Sequence, residues 1–199
     1  MRRLHDALNG WSLTGALALV IVLMAFAIAA YHGFDVEAVR AVIRATARTS
    51  ALLFGLAFSA SALVTFWPNA WTRWQRRNRR QLGVTFAASH GLHAVAIAAF
   101  AKMDPASFAA ATNLASYIFG GIGYAVIVAM TATSFDRTAA AIGPKAWRVL
   151  HLWGGYYLWV QFVIRTGLLA GPSGASPTKA AHAVPTPWMG RGPVLTSSM

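Results

Sequence analysis

The 199-residue chain has no cysteine, and only 11% of its residues are charged. The absence of cysteine excludes disulfides, thiolate-ligated clusters and a covalently attached haem. A soluble domain carries about 25% charged residues, so this chain has too few charges to cover a surface that faces water. With 57% hydrophobic residues, the composition predicts an all-α integral membrane protein.

Acidic residues are scarcer still, and every one lies outside the segments predicted to span a membrane: Asp6, Asp35, Glu37, Asp104 and Asp136. A proton relay through a buried carboxylate is therefore not expected, which argues against a pump or a proton-coupled transporter. The sequence also offers no catalytic triad and no carboxylate pair. We therefore expect no substrate chemistry in this chain itself.

Long apolar segments are the main positive feature of the chain. A bilayer core needs about 20 apolar residues per helix, and five segments come close to that length. They predict five transmembrane helices over residues 11–31, 50–67, 82–101, 112–133 and 147–170. Residues 36–46 alternate apolar positions with Arg40 and Arg44, which predicts a short amphipathic helix on the outer surface. The bundle is thus expected to occupy residues 1–170.

Residues 171–199 are rich in Gly, Pro, Ser and Thr, and they predict an extended tail. A partner protein subunit on the periplasmic side is the expected reason for any order there. The densest basic cluster, residues 71–80, joins two predicted spans, which favours a cytoplasmic loop on anionic lipid over a nucleic-acid site. The same Lys/Arg bias predicts a cytoplasmic N-terminus and, after five spans, a periplasmic C-terminus in a bacterial-type inner membrane.

Three histidines lie in these apolar segments: His90, His93 and His151. An ionisable side chain inside a membrane is by default a functional-site hypothesis. His90 and His93 share one helix face, and histidines on two helices can hold a b-type haem. Counted from Arg80, helical rise places His90 about 15 Å deep and His93 about 20 Å deep; counted from Lys145, it places His151 about 9 Å deep. Depth alone pairs His90 with His151, and His93 stays an alternative.

Short motifs carry a resemblance to a known family. Arg79-Arg80-Gln81-Leu82-Gly83 followed by His93 resembles the entry to a haem-binding helix in the ferric-reductase-like transmembrane family. The nearest likeness is to its MsrQ-type members, the haem-binding subunits of periplasmic methionine sulfoxide reductase systems. The stretch from Thr133-Ser134 to Leu150-His151 is similar to a second family motif, with one extra residue before the histidine. The entry to the family's second helix resembles Thr46-Ala47-Arg48-Thr49.

The resemblance covers about residues 10–165 and implies a membrane-embedded electron-transfer subunit, at most one part of an oxidoreductase. It implies haem b on His93 and His151. The residues themselves add His90 as an alternate ligand, because of its depth, and Arg79 and Arg80 as expected partners of the haem propionates at the cytoplasmic edge. Electrons would come from a cytoplasmic flavin or quinol and reach a periplasmic acceptor.

Two departures from the family pattern favour one haem over two. The family's second histidine on the last helix is replaced by Ile164, and the sixth span is replaced by the tail. They also leave open a second function, that of a non-catalytic accessory subunit in a larger respiratory or photosynthetic membrane complex.

Overall fold

A computed structural model describes residues 9–169, and within them it contains seven α-helices and no strand. We number them α1 to α7 along the chain: Gly10–His32, Val36–Phe66, Ala70–Arg77, Arg79–Met103, Pro105–Ala111, Leu114–Ala132 and Asp136–Leu169. Four of them, α1, α2, α4 and α6, are long and apolar enough to cross a membrane. The described part of the chain is therefore all-helical, with the character of a multi-pass membrane protein.

Helix α7 covers the fifth predicted span, but it is not among these four helices. Its sequence interleaves His, Gln, Trp, Tyr and Gly with the apolar residues, which lowers its hydropathy. The helix is broken near its start, where Gly143 has a left-handed φ of 77° and is followed by Pro144. The contacts described below lie within residues 9–163, because the chain divides into two units at Ile164.

The prediction of a separate surface helix over residues 36–46 is wrong. Those residues form the first turns of α2, which runs unbroken from Val36 to Phe66. Its buried residues Ala38, Val42, Thr46 and Ser50 follow one another at four-residue spacing, so they form one stripe that continues into the span. The stripe is packed inside the bundle, and a helix lying on a membrane surface would leave it uncovered.

The core lies where α2, α4, α6, α7 and α1 meet. Its buried members are seven large apolar side chains and one alanine: Ile21, Leu53, Phe54, Ala57, Leu82, Phe86, Ile127 and Leu158. Phe54 of α2 contacts both Phe86 of α4 and Phe162 of α7, with ring centroids 5.4 and 5.3 Å apart. This aromatic cluster fixes the relative heights of three helices.

Each end of the bundle carries an Arg–Asp pair. At the Arg80 end, where α1 begins and α2 finishes, Arg80 pairs with Asp136 at 3.0 Å and lies over the Trp11 ring. At the opposite, Asp104 end, Asp104 accepts a hydrogen bond from the Ser107 backbone N–H and lies 3.6 Å from Arg40. Outward-facing apolar side chains between the ends are compatible with contact to membrane lipid.

Candidate functional site: two separately oriented imidazoles

His90 and His93 lie one turn apart on α4, and their rings stack with centroids 5.1 Å apart. Both side chains are half-buried, and both lie in the part of α4 that packs between α2 and α6. The structure thus brings together two of the three histidines that the sequence singled out. Their surroundings differ, and the difference determines what each ring can do.

A neighbouring helix orients the His93 ring. Its Nδ1 lies 3.1 Å from the Ile43 carbonyl oxygen and 3.1 Å from the Thr46 hydroxyl, both on α2. A carbonyl oxygen can only accept, so Nδ1 carries the proton and donates it. The Thr46 hydroxyl is itself committed as a donor, at 2.7 Å to the Val42 carbonyl, and so accepts from His93. In the neutral ring Nε2 is then left with a lone pair, the state required of a metal ligand.

Fully buried hydroxyls hold α2 against α4 beside this ring. Ser50 donates to Ser89 at 3.0 Å, and the Ser89 hydroxyl lies 3.5 Å from the Thr46 carbonyl. Thr46, Ser50 and Ser89 are each 0% exposed. Small hydroxyl residues allow close helix approach and bond across the interface. Sequence reasoning missed this set, although two polar pairs at four-residue spacing, Thr46 with Ser50 and Ser89 with His93, were its visible signal.

His90 has no such orienting bond. Its ring lies among Phe86, Tyr124 and Phe162, with centroids 5.6, 5.0 and 6.1 Å away. Both His90 Nδ1 and the Tyr124 hydroxyl are buried without a hydrogen-bond partner among residues 9–169. Aromatic packing therefore fixes the position of this ring, but no bond selects which nitrogen carries the proton.

His151 is oriented mainly by its own helix, and the Met130 carbonyl of α6 also interacts with its ring. Its Nδ1 lies 3.1 Å from the Trp147 carbonyl oxygen one turn earlier, which again places the proton on Nδ1 and the lone pair on Nε2. The Trp147 indole stacks on the ring at 4.2 Å, and the indole N–H donates to the Thr133 carbonyl at 3.0 Å. Arg79 is close enough to interact electrostatically with the imidazole.

The packing does not bring His151 to the other two histidines. The Phe162 ring lies 6.1 Å from both the Phe86 and His90 rings, so it marks the height of these residues on α7. His151 lies three turns from Phe162 toward the Arg80 end, whereas His93 lies beyond His90 toward the Asp104 end. Helical rise then separates His93 and His151 by roughly 20 Å along the bundle.

The two predicted propionate partners lie at the His151 level. Arg79 donates to Ser61 at 3.4 Å, and Arg80 is committed to Asp136. Neither lies beside His93. Between residues 9 and 169 no three His, Asp or Glu side chains gather into a group that could hold a metal ion.

Known proteins give no further indication of function. No family model matches the sequence, and no curated protein or solved structure is significantly similar to it. Any functional assignment therefore rests on the residues and on their arrangement in the bundle.

Proposed function

We propose that this protein is a membrane-embedded electron-transfer subunit that uses b-type haem at two separate levels. His93 would hold the haem at the Asp104 end, and His151 would hold one at the Arg80 end. A single observation carries the proposal: both rings have Nδ1 bonded to a backbone carbonyl. Iron-ligating histidines typically have this arrangement, because the bond fixes the tautomer and aims Nε2.

The described residues do not fit one haem shared by His93 and His151, because the two rings lie about 20 Å apart along the helices. They do fit one oriented imidazole at each level. When bound, haem iron supplies reversible one-electron chemistry. The protein's own part is to hold each imidazole in its ligating tautomer and to surround it with apolar helices.

The arginines at the Arg80 end also support a separate haem site at the level of His151. Arg79, beside His151, is the available partner for an acidic group at the Arg80 end, since Arg80 is already paired with Asp136. His90 stacks on His93 and lacks an orienting bond, so its proposed role is to position its neighbour, with direct ligation as the alternative.

The proposed topology has five spans, with α7 as the fifth, in a bacterial-type inner membrane. The basic Arg80 end would face the cytoplasm and a flavin or quinol donor, because Lys and Arg concentrate on cytoplasmic loops. The acceptor would be periplasmic, and the tail over residues 171–199, outside the described residues, would contact a partner subunit there.

A second candidate is an accessory subunit of a larger respiratory or photosynthetic membrane complex. One observation favours it: within residues 9–163, neither His93 nor His151 has a second histidine facing it across the bundle. Each imidazole would then serve helix packing, and the apolar outer faces would dock on other subunits.

A reduced-minus-oxidised visible spectrum of the purified full chain, with a haem-to-chain ratio from pyridine extraction, separates the two candidates. The electron-transfer function predicts bound haem b with a reduced-minus-oxidised absorbance difference, and both should disappear when His93 and His151 are replaced by alanine. The matched control is His32→Ala, which removes an exposed imidazole at the end of α1 and should leave the haem in place. A folded, stable protein without haem would contradict the proposal and support the accessory role.

A further inference from the structure

Helix α3 carries three arginines on one exposed face. Arg73, Arg76 and Arg77 stand at i, i+3 and i+4, and together with Val64 and Ala70 they line an open depression of about 630 Å³. None of these arginines pairs with an acidic side chain in the part of the chain that the structure describes. Their charge is therefore available to a ligand.

The opposite face of α3 fixes the helix to the bundle through hydrogen bonds. Gln75 is 0% exposed, and its amide donates to the Leu56 carbonyl at 2.7 Å and to the Ser59 hydroxyl at 3.3 Å. A capping box formed by Asn69 and Thr72 starts the helix. The three guanidinium groups thus project from a fixed platform, which lowers the ordering cost of binding.

The location of the depression identifies the class of ligand. It begins where the apolar span α2 finishes, and exposed aromatic side chains surround that point: Phe66, Trp67 and Trp71. Aromatic side chains of this kind concentrate at the headgroup level of a bilayer. Val64 and Ala70 give the depression an apolar floor on the side of the membrane.

We propose that this depression is a binding site for the phosphodiester headgroup of an anionic phospholipid. Arg73, Arg76 and Arg77 would bond the phosphate oxygens, because guanidinium donors match phosphate geometry. The acyl chains would follow Val64 and the end of α2 into the bilayer. The site is independent of the haem proposal, and it is more specific than a general attraction of basic loops to anionic membranes.

Native mass spectrometry of the full chain in detergent, with added phosphatidylglycerol or phosphatidylcholine, tests the site. We expect retained phosphatidylglycerol, little phosphatidylcholine, and a loss of at least about tenfold in phosphatidylglycerol affinity for R73Q/R76Q/R77Q. The matched control, R137Q/K145Q/R148Q, removes the same charge at the same end and should retain the lipid. R73K/R76K/R77K keeps the charge and should bind with intermediate affinity.

Three outcomes would overturn the proposal. Equal losses in the two glutamine variants would indicate diffuse attraction instead of a site. Displacement of the lipid by millimolar inorganic phosphate would indicate a soluble anion as the ligand, and preferential retention of an added RNA oligonucleotide would indicate a nucleic-acid surface. The lysine variant covers the case in which the glutamine variant does not fold. If R73K/R76K/R77K keeps full affinity and the same preference for phosphatidylglycerol, the proposed guanidinium contacts are contradicted.

Discussion

In the half of the bundle nearer Asp104, the neighbouring helix α2 orients the His93 imidazole, whereas at the Arg80 end the His151 imidazole is oriented mainly by its own helix. His93 depends on Ile43 and Thr46 of α2, and His151 depends on Trp147 of α7. The first arrangement exists only when α2 and α4 are correctly packed. The second forms mainly within α7, with the Met130 carbonyl of α6 as an additional partner of the ring. Two rings with the same proton placement thus have different structural requirements, and this allows each to be disturbed alone.

The largest expected effect comes from removing one ring at a time. Because the two levels are about 20 Å apart, His93→Ala and His151→Ala should each remove one haem and leave the other spectrally intact. The haem-to-chain ratio and the redox titration of each variant measure this directly. Loss of all haem from either single variant would show that the two histidines share a site.

A smaller effect is expected when only the orientation of His93 is disturbed. Thr46→Val removes the hydroxyl that accepts from Nδ1 and leaves the Ile43 carbonyl, so haem affinity at this level should fall by about tenfold. The His151 level should not change. Thr49→Val is the matched control, since the Thr49 hydroxyl bonds the Ala45 carbonyl of its own helix. An equal effect of both variants on haem binding would contradict the assignment of Thr46 as a positioning residue.

The α2–α4 interface should show a modest stability effect. Replacing both Ser50 and Ser89 by alanine removes a buried interhelical hydrogen bond, which is typically worth about 0.6 kcal/mol in a membrane bundle. Thermal or denaturant unfolding in detergent should therefore detect a small destabilisation, accompanied by a weaker His93 level. Ser134→Ala, which removes a bond to its own helix, is the control. A stability loss no greater than in the control would show that the serine pair does not hold the two helices together.

The smallest expected effect is on the stability of the fold at acidic pH. Hydrogen bonds from the Ser107 hydroxyl and backbone N–H, together with the nearby Arg40 charge, lower the pKa of Asp104. A lowered carboxyl pKa stabilises the folded state above the ordinary pKa, and this contribution is lost as pH falls through the folded value. Unfolding should thus show an acid-dependent loss near and below about pH 4 that Asp104→Asn lacks. An unchanged acid profile in that variant would contradict this role of Asp104.

The sequence predicted the helical class and four of the helices that are long and apolar enough to cross a membrane, because long apolar runs have few other uses. It misplaced the start of α2, since Arg40 and Arg44 suggested a surface helix while the buried stripe from Ala38 to Ser50 continued into the long apolar part of α2. It named the three histidines but not their distances, because depth was counted from Arg80 and Lys145, which do not lie at the same height. The hydrogen bonds that His93 donates to Ile43 and Thr46 depend on how α2 packs on α4, and no local sequence pattern encodes that packing.

The hydrogen bonds between α3 and its neighbours imply an order of assembly. Its buried face is polar, and the groups that satisfy Gln75 and Asn78 belong to α1 and α2: the Leu56 carbonyl, Ser59, Asn9 and Gly10. Until α1 and α2 have packed together, α3 has no apolar face that would hold it against the bundle. Its arginine side chains stay exposed in the finished bundle, but there the helical backbone around them is held in place. Trypsin should therefore cleave at α3 faster in an incompletely assembled chain, which makes cleavage at this helix a measure of correct assembly.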